Sequence, residues 1–186
     1  IIGDDLVTEK VLQAGLNGKL KAAIKWGVGT DNIDFSACKK LNFPIENTPN
    51  VFGAEVADLA VAYLLCLSRD LVRIDREVRE GKWPKYPGIS LSGKRVGIIG
   101  YGDIGKNIAK RLKAFEMKIL FYDPFEKDDN EEMISKHEWP ESIDQCDFII
   151  LACSLNSSTS YILNKKIFKL CKDGVKIINI SRGGLI

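Results

Sequence analysis

The sequence predicts an α/β protein, a parallel sheet doubly wound with helices on both faces. Two observations carry this expectation. From Arg95 onward, short and almost uninterrupted apolar runs alternate with stretches of helical periodicity, the pattern of strands buried on both faces and joined by crossover helices. The first run, Arg95-Val96-Gly97-Ile98-Ile99, then leads directly into the glycine-rich loop Gly100-Tyr101-Gly102-Asp103-Ile104-Gly105.

Taken in order, Ile1-Ile2-Gly3 reads as a strand end. Thr8 is placed to cap a helix that carries Val11, Leu12 and Leu16 and stops at Gly18. Ala22-Ala23-Ile24 forms a short strand entering the loop Gly27-Val28-Gly29-Thr30-Asp31-Asn32. A helix near Asp34 to Lys40 then leads to Phe43-Pro44-Ile45, expected as an edge strand. Val56, Leu59, Ala60, Tyr63, Leu64, Leu67, Leu71, Ile74 and Val78 recur at spacings of three and four, closed by Gly81 and Pro84. That length suits a helix linking two domains or packing on a second subunit; one ordinary helix or two consecutive ones fit the spacing equally. Ile104, Ile108, Leu112 and Phe115 mark the buried face of the helix after the glycine loop. Strands follow at Lys118 to Asp123, Asp147 to Cys153 and Val175 to Ile180, with a helix from Asn164 to Lys172 ahead of Asp173-Gly174. The charged stretch Glu126 to Glu132 reads as a solvated loop and helix start.

Composition narrows the function classes. The 186 residues are 45% hydrophobic, enough for a substantial core, and 27 basic against 25 acidic residues leave a net charge of +2. No like-charged block offers a polyanion surface, so nucleic acid is not an expected partner. The five cysteines, Cys38, Cys66, Cys146, Cys153 and Cys171, include no CxxC pair. They fit free thiols in a reducing compartment, with neither disulfides nor a metal site. No apolar run approaches the ~20 residues that cross a bilayer, and no signal peptide opens the chain, so the expected setting is cytoplasmic and away from membranes. The first residue is Ile, and the last strand is followed by no closing helix. The chain is therefore expected to be an internal piece of a longer protein.

A GxGxxG string alone is weak evidence, but here it leaves a strand and opens an amphipathic helix. Gly100 permits the tight turn, Gly102 lets the backbone approach a pyrophosphate, and Gly105 lets helix and strand pack closely. Amides around Asp103 and Ile104 then face the phosphates at the positive end of the helix. Asp123 ends the next strand, about 20 residues after the loop, where a carboxylate can bond both hydroxyls of the adenosine ribose and repel a 2′-phosphate. The bland alternative is that Asp123 only starts the turn Asp123-Pro124. Together these features predict a Rossmann-type domain that takes NAD rather than NADP. The Asp103 carboxylate would repel a pyrophosphate, so it is expected to point to solvent or to offset the helix dipole.

Several strings in order extend this reading over nearly the whole chain: Lys25-Trp26-Gly27-Val28-Gly29-Thr30-Asp31-Asn32-Ile33-Asp34, Asn47-Thr48-Pro49, Leu91-Ser92-Gly93-Lys94 and Ile178-Asn179-Ile180-Ser181-Arg182-Gly183-Gly184. With them the chain resembles the D-isomer-specific 2-hydroxyacid dehydrogenases, in particular the phosphoglycerate dehydrogenase-like members. The resemblance implies a partial, flavodoxin-like substrate domain over 1–48, and an NAD domain over 49–186 with a linking or dimerisation helix near 54–80. It implies reversible hydride transfer between the nicotinamide and C2 of a small D-2-hydroxy acid, and a homodimer. It also implies that Arg182 holds the substrate carboxylate and polarises the C2 oxygen, that Val28 and Gly29 offer amides to that carboxylate, and that Cys153, Ile180 and Ser181 line the nicotinamide side.

The family's catalytic glutamate and histidine lie beyond its arginine, and no counterpart stands within these 186 residues. The one histidine, His137, is expected on the surface, outside catalysis. The competing reading is a non-catalytic NAD(H)-binding dimeric regulator of the same fold. Another nucleotide-dependent enzyme, such as a hydrolase of adenosyl thioethers, fits the Ser-Arg-Gly-Gly string poorly.

Overall fold

The computed structural model describes residues 1, 3–128 and 131–186. The expected strand end at Ile1-Ile2-Gly3 and the solvated stretch Glu126 to Glu132 thus fall partly outside the described residues, at Ile2, Asp129 and Asn130. The chain divides into two compact units, Ile1–Phe52 and Gly53–Ile186.

The first unit runs α1 (Glu9–Asn17), β1 (Ala23–Lys25), α2 (Phe35–Lys40) and β2 (Ile45–Asn47). Thr8 and Asp34 cap the two helices, their side chains accepting from the amides of Val11 and Ala37. The strands pair in parallel, Ile24 opposite Glu46, and Val7, Leu12, Ile33, Ala37, Cys38 and Phe43 form a small core. The second strand begins at Ile45 rather than at Phe43, because the Phe43 ring is buried in that core and its amide bonds to the Cys38 carbonyl.

The second unit opens with α3 (Gly53–Arg69) and α4 (Leu71–Arg79). The periodic stretch is thus two consecutive helices, not one long linker. Between them Asp70 adopts φ +51°, a left-handed conformation that no helix can pass through. The sheet follows as β3 (Arg95–Ile99), α5 (Asp103–Lys113), β4 (Lys118–Tyr122), β5 (Ile134–Lys136), β6 (Phe148–Leu151), α6 (Lys165–Phe168) and β7 (Lys176–Asn179). All five strands are parallel in the order β5-β4-β3-β6-β7, the doubly wound order short of a sixth strand.

Side chains alternate strictly across this sheet. Val96, Ile98, Ile119, Phe121, Phe148, Ile150 and Ile178 face α3 and α5, whereas Ile99, Leu120, Tyr122, Ile149 and Leu151 face the other layer. That layer is built from short turns and α6. Its helix is shorter than the periodicity predicts, because beyond Phe168 the bonds tighten to a three-residue spacing, Leu170 to Ile167 and Cys171 to Phe168. The strand β5 carries Ser135 and Lys136 beside a single buried Ile134 and pairs with β4 alone. An edge strand of this kind shows no continuous apolar run, so the sequence did not announce it.

Candidate functional site

Every strand of the parallel sheet ends on the same edge, and the residues singled out from the sequence of the second unit lie along it. In spatial order come His137 after β5, Asp123 after β4, the glycine loop after β3, Cys153 after β6, and Ile180 to Arg182 after β7. The chain leaves β3 towards β4 and later returns to β6 on the opposite side. The edge between β3 and β6 is therefore the topological switch point, the crevice where open α/β sheets bind ligands.

Gly100 sits in that crevice with φ +92°, and a Cβ on it would lie 2.6 Å from the backbone N and Cα of Cys153. Only glycine allows the two strand ends to meet so closely. A Cβ on Gly105 would collide with the Gly100 carbonyl, so α5 and the loop are also in direct contact. Gly102 differs from both. Nothing lies within 4 Å of its Cβ position, and its φ of −72° suits any residue. Its bareness therefore serves open space in front of the helix. The first intrahelical bond runs from Lys106 N–H to the Gly102 carbonyl, leaving the amides of Gly102, Asp103 and Ile104 without a protein acceptor among the described residues. Three free amides, an open cradle and the positive end of a helix fit a pyrophosphate.

Asp103 contributes only its amide to that cradle. Its carboxylate turns away from solvent, accepting from Asn107 Nδ2 at 3.0 Å and lying against the Cα of Gly53 at the start of α3. The solvent-pointing expectation is corrected here. The carboxylate still sits in the first turn of α5, where a negative charge offsets the dipole.

Asp123 does more than either reading of it anticipated. Its Oδ2 accepts from the Tyr101 amide of the glycine loop at 2.8 Å, and its Oδ1 accepts from Phe125 N–H at 2.9 Å. The carboxylate thus starts the turn and also ties β4 to the loop. It remains half-exposed at the strand end, with lone pairs left for ribose hydroxyls. Tyr101 is held from below by its ring, stacked on Phe121 with centroids 3.8 Å apart.

Across the switch point, burial pushes the Cys153 thiol above its ordinary pKa, with the charge of Asp123 adding to the effect. It stays protonated at neutral pH and presents a neutral wall. Ile180 and Ser181 follow β7, with Ile180 N–H and Ser181 Oγ both donating to the Leu151 carbonyl at 3.3 and 3.2 Å. Arg182 comes next, half-buried and extended, with Nη1 donating to the Ser181 carbonyl at 3.1 Å. Asn179, which the sequence reading quoted only as part of a string, braces this turn: Oδ1 accepts from Ser181 N–H at 2.9 Å and Nδ2 donates to the Arg182 carbonyl at 2.8 Å. An asparagine two residues before a glycine-rich turn is the signal that could have found it.

His137 lies at the far end of the same edge, its Nε2 3.0 Å from Ser135 Oγ. Four strand spacings of about 4.8 Å separate the two outer strands, roughly 19 Å. Arg182, which follows β7, is at the opposite end of the edge. In the first unit, Gly27 and Thr48 exchange hydrogen bonds and Asn47 Nδ2 donates to the Val28 carbonyl at 3.0 Å. This braces the loop from outside, and the amides of Val28 and Gly29 have no partner among the described residues.

A glycine-lined switch point followed by a strand-end carboxylate defines a dinucleotide-binding domain. Comparison with known proteins makes this specific. The family model described as "D-isomer specific 2-hydroxyacid dehydrogenase, NAD binding domain" matches residues 61–186. The chain belongs to that family, and its cofactor is NAD. It is 38% identical over 182 residues to a hydroxypyruvate reductase of Thermotoga maritima, covering 97% of this chain and 58% of that relative. It is 35% identical over 184 residues to a D-3-phosphoglycerate dehydrogenase of Sus scrofa, covering 97% of this chain and 34% of that relative. Among solved structures, the apo D-lactate dehydrogenase of Escherichia coli superposes with a TM-score of 0.88 at 29% identity, covering all of this chain and 60% of the other. The chain thus spans between a third and three-fifths of the length of these relatives.

Proposed function

We propose that the protein carrying this chain is an NAD-dependent D-2-hydroxyacid dehydrogenase that interconverts a small D-2-hydroxy acid and its 2-oxo acid. The observation that carries this reading is Arg182, fixed at the end of β7 on the same sheet edge as the glycine loop and Asp123. A guanidinium there stays charged at any working pH, and its planar fork of donors matches a carboxylate. It also polarises the C2 oxygen as charge develops on it. The bound cofactor supplies or accepts the hydride at C2. Cys153, Ile180 and Ser181 line that end of the cofactor site. The first unit is read as part of the substrate domain, where the free amides of Val28 and Gly29 offer donors to a carboxylate. Asp123 selects NAD over NADP. His137 takes no part, so the proton comes from another group.

We also read the protein as a homodimer. No residue of α4 is buried, Val72 is 72% and Trp83 80% exposed, and Leu59, Tyr63 and Leu67 leave a further apolar row bare on α3. Isolated short helices are marginal in water, so α4 needs a cover, and a second copy supplies one with the same apolar chemistry. No described helix is long and apolar enough to cross a membrane, and the reading retains a cytoplasmic setting.

NADH oxidation by the intact protein, followed by absorbance over hydroxypyruvate, glyoxylate and pyruvate, tests the activity. At least one 2-oxo acid should be reduced. Arg182→Ala should lower turnover by roughly 10²–10³-fold, the scale of losing one preorganised donor to a developing charge, without changing NADH affinity. Unchanged turnover in that variant, or no oxidation with any of the acids, would sink the assignment.

A further inference from the structure

We propose that Asn179 is the positioning residue for Arg182, which deepens the dehydrogenase reading and rests on it. Asn179 closes β7, and both ends of its carboxamide are engaged within the turn that follows. Oδ1 takes the Ser181 amide, and Nδ2 reaches the Arg182 carbonyl. The two peptide planes it grips flank the one between Ser181 and Arg182. That middle plane carries the Ser181 carbonyl, on which the Arg182 guanidinium rests at 3.1 Å. The side chain therefore frames the peptide unit on which the guanidinium rests.

Other contacts do not replace this grip. The Arg182 carbonyl also accepts from Leu185 N–H at 3.2 Å, which closes the short turn after it, so that end of the grip is shared. Among the described residues the Ser181 amide has only Asn179 Oδ1 as acceptor. The Ser181 hydroxyl anchors the turn to β6 through the Leu151 carbonyl but leaves the peptide planes free to rotate. Without Asn179 the Ser181 amide loses its acceptor and the Arg182 carbonyl keeps its bond from Leu185, so the plane between them is held less firmly. A small tilt of that plane is magnified at the end of a long arginine side chain.

The two requirements on residue 179 are a short acceptor and a donor held on one rigid plane, which asparagine meets. Aspartate keeps the shape and the acceptor for Ser181. It loses the donor and sets a second oxygen against the Arg182 carbonyl. Alanine loses both.

The test is a double-mutant cycle in the full-length protein, using steady-state NADH oxidation with whichever 2-oxo acid it reduces. Asn179→Asp and Asn179→Ala should each lower turnover roughly 10- to 100-fold, the scale expected when a reacting group is displaced by about an ångström. NADH affinity, read by fluorescence titration, should stay at its wild-type value. In an Arg182→Ala background, Asn179→Ala should cause no further loss, because a residue acting only through Arg182 has nothing left to place. If Asn179→Ala fails to fold, the isosteric Asn179→Asp carries the same cycle. Equal losses with and without Arg182, weakened NADH binding in the single variants, or full turnover in both would overturn the positioning role. Full turnover in Arg182→Ala alone points to a different failure, that of the dehydrogenase reading, and removes this proposal with it.

Discussion

Gly100 and Gly102 stand two residues apart in one loop, yet alanine should do opposite things at the two positions. At Gly102 the new methyl meets no protein atom and the backbone angle is ordinary. Folding should lose no more than about 1 kcal/mol, the difference between glycine and alanine as a helix N-cap. The methyl does occupy the space that lets the free amides approach a diphosphate. Losing one amide bond to a charged acceptor is worth about 1.5–3 kcal/mol, so NADH should bind about 10- to 150-fold more weakly. At Gly100 the methyl would meet the backbone of Cys153 at 2.6 Å while the chain is held at φ +92°. Strain at such an angle and forced overpacking together cost about 2–6 kcal/mol, against a total stability for a domain of about 5–15 kcal/mol. Urea denaturation and an NADH fluorescence titration on both variants separate the effects. Should Gly102→Ala bind NADH as tightly as the parent, or Gly100→Ala keep the parental midpoint, the division of labour argued for this loop is wrong.

The strand-end carboxylate gives a second prediction: Asp123→Ser combined with Phe125→Arg should move cofactor preference towards NADPH, and it should loosen the loop because the Tyr101 amide loses its acceptor. Competition between NADH and NADPH in the parent decides the matter, and equal affinity for both would refute the role given to Asp123. Asp147 supplies a pH test. Burial raises its pKa, but the Arg95 amide and then Lys172 outweigh burial and hold it below the usual value. The folded carboxyl therefore binds its proton less tightly than the unfolded one does. Its contribution is complete above about pH 4 and fades as pH falls through the folded value. Asp147→Asn should cost about 1 kcal/mol at neutral pH, since Lys172 is partly exposed, and should flatten the acid limb of a pH-stability curve; an unchanged limb would rule this out. Charge on the bare apolar row, as Leu59→Glu with Tyr63→Glu, should give monomers in analytical ultracentrifugation, and a persisting dimer would exclude that face.

How much of this was legible in the sequence depended on burial. Strands β3, β4, β6 and β7 were readable because they are covered on both faces, which forces apolar runs such as Phe148-Ile149-Ile150-Leu151. The glycine loop was readable because close backbone contact admits only one residue type at Gly100 and Gly105, with Gly102 left bare between them. Strand β5 was not, since an edge strand of three residues can include Ser135 and Lys136 without penalty. Nor was the break at Asp70, where the apolar spacing continues across a left-handed residue as if the helix were unbroken. Periodicity records which side chains face the core and says little about whether the backbone between them is continuous.

Asp103 shows why the site itself was only half legible. Its amide belongs to the phosphate cradle, and a sequence argument can weigh its charge only against that neighbour. The structure gives the carboxylate a different task. It packs on the bare Cα of Gly53, where any Cβ would collide with it, and it is steadied by Asn107 Nδ2. About two turns further along α5, Arg111 pairs with Asp58 of α3 at 2.5 Å. The Arg111–Asp58 pair is thus the polar tie from α5 to α3. The Asp103 carboxylate, its Oδ2 buried without a hydrogen-bond partner among the described residues, only packs on α3 and needs a glycine at the helix start to do so. The charge is tolerable beside a diphosphate because its side chain is committed to Asn107 and to the face of α3. A residue of this kind is explained only when both of its neighbours are known, and those neighbours, Gly53 and the loop, lie some fifty residues apart in the chain.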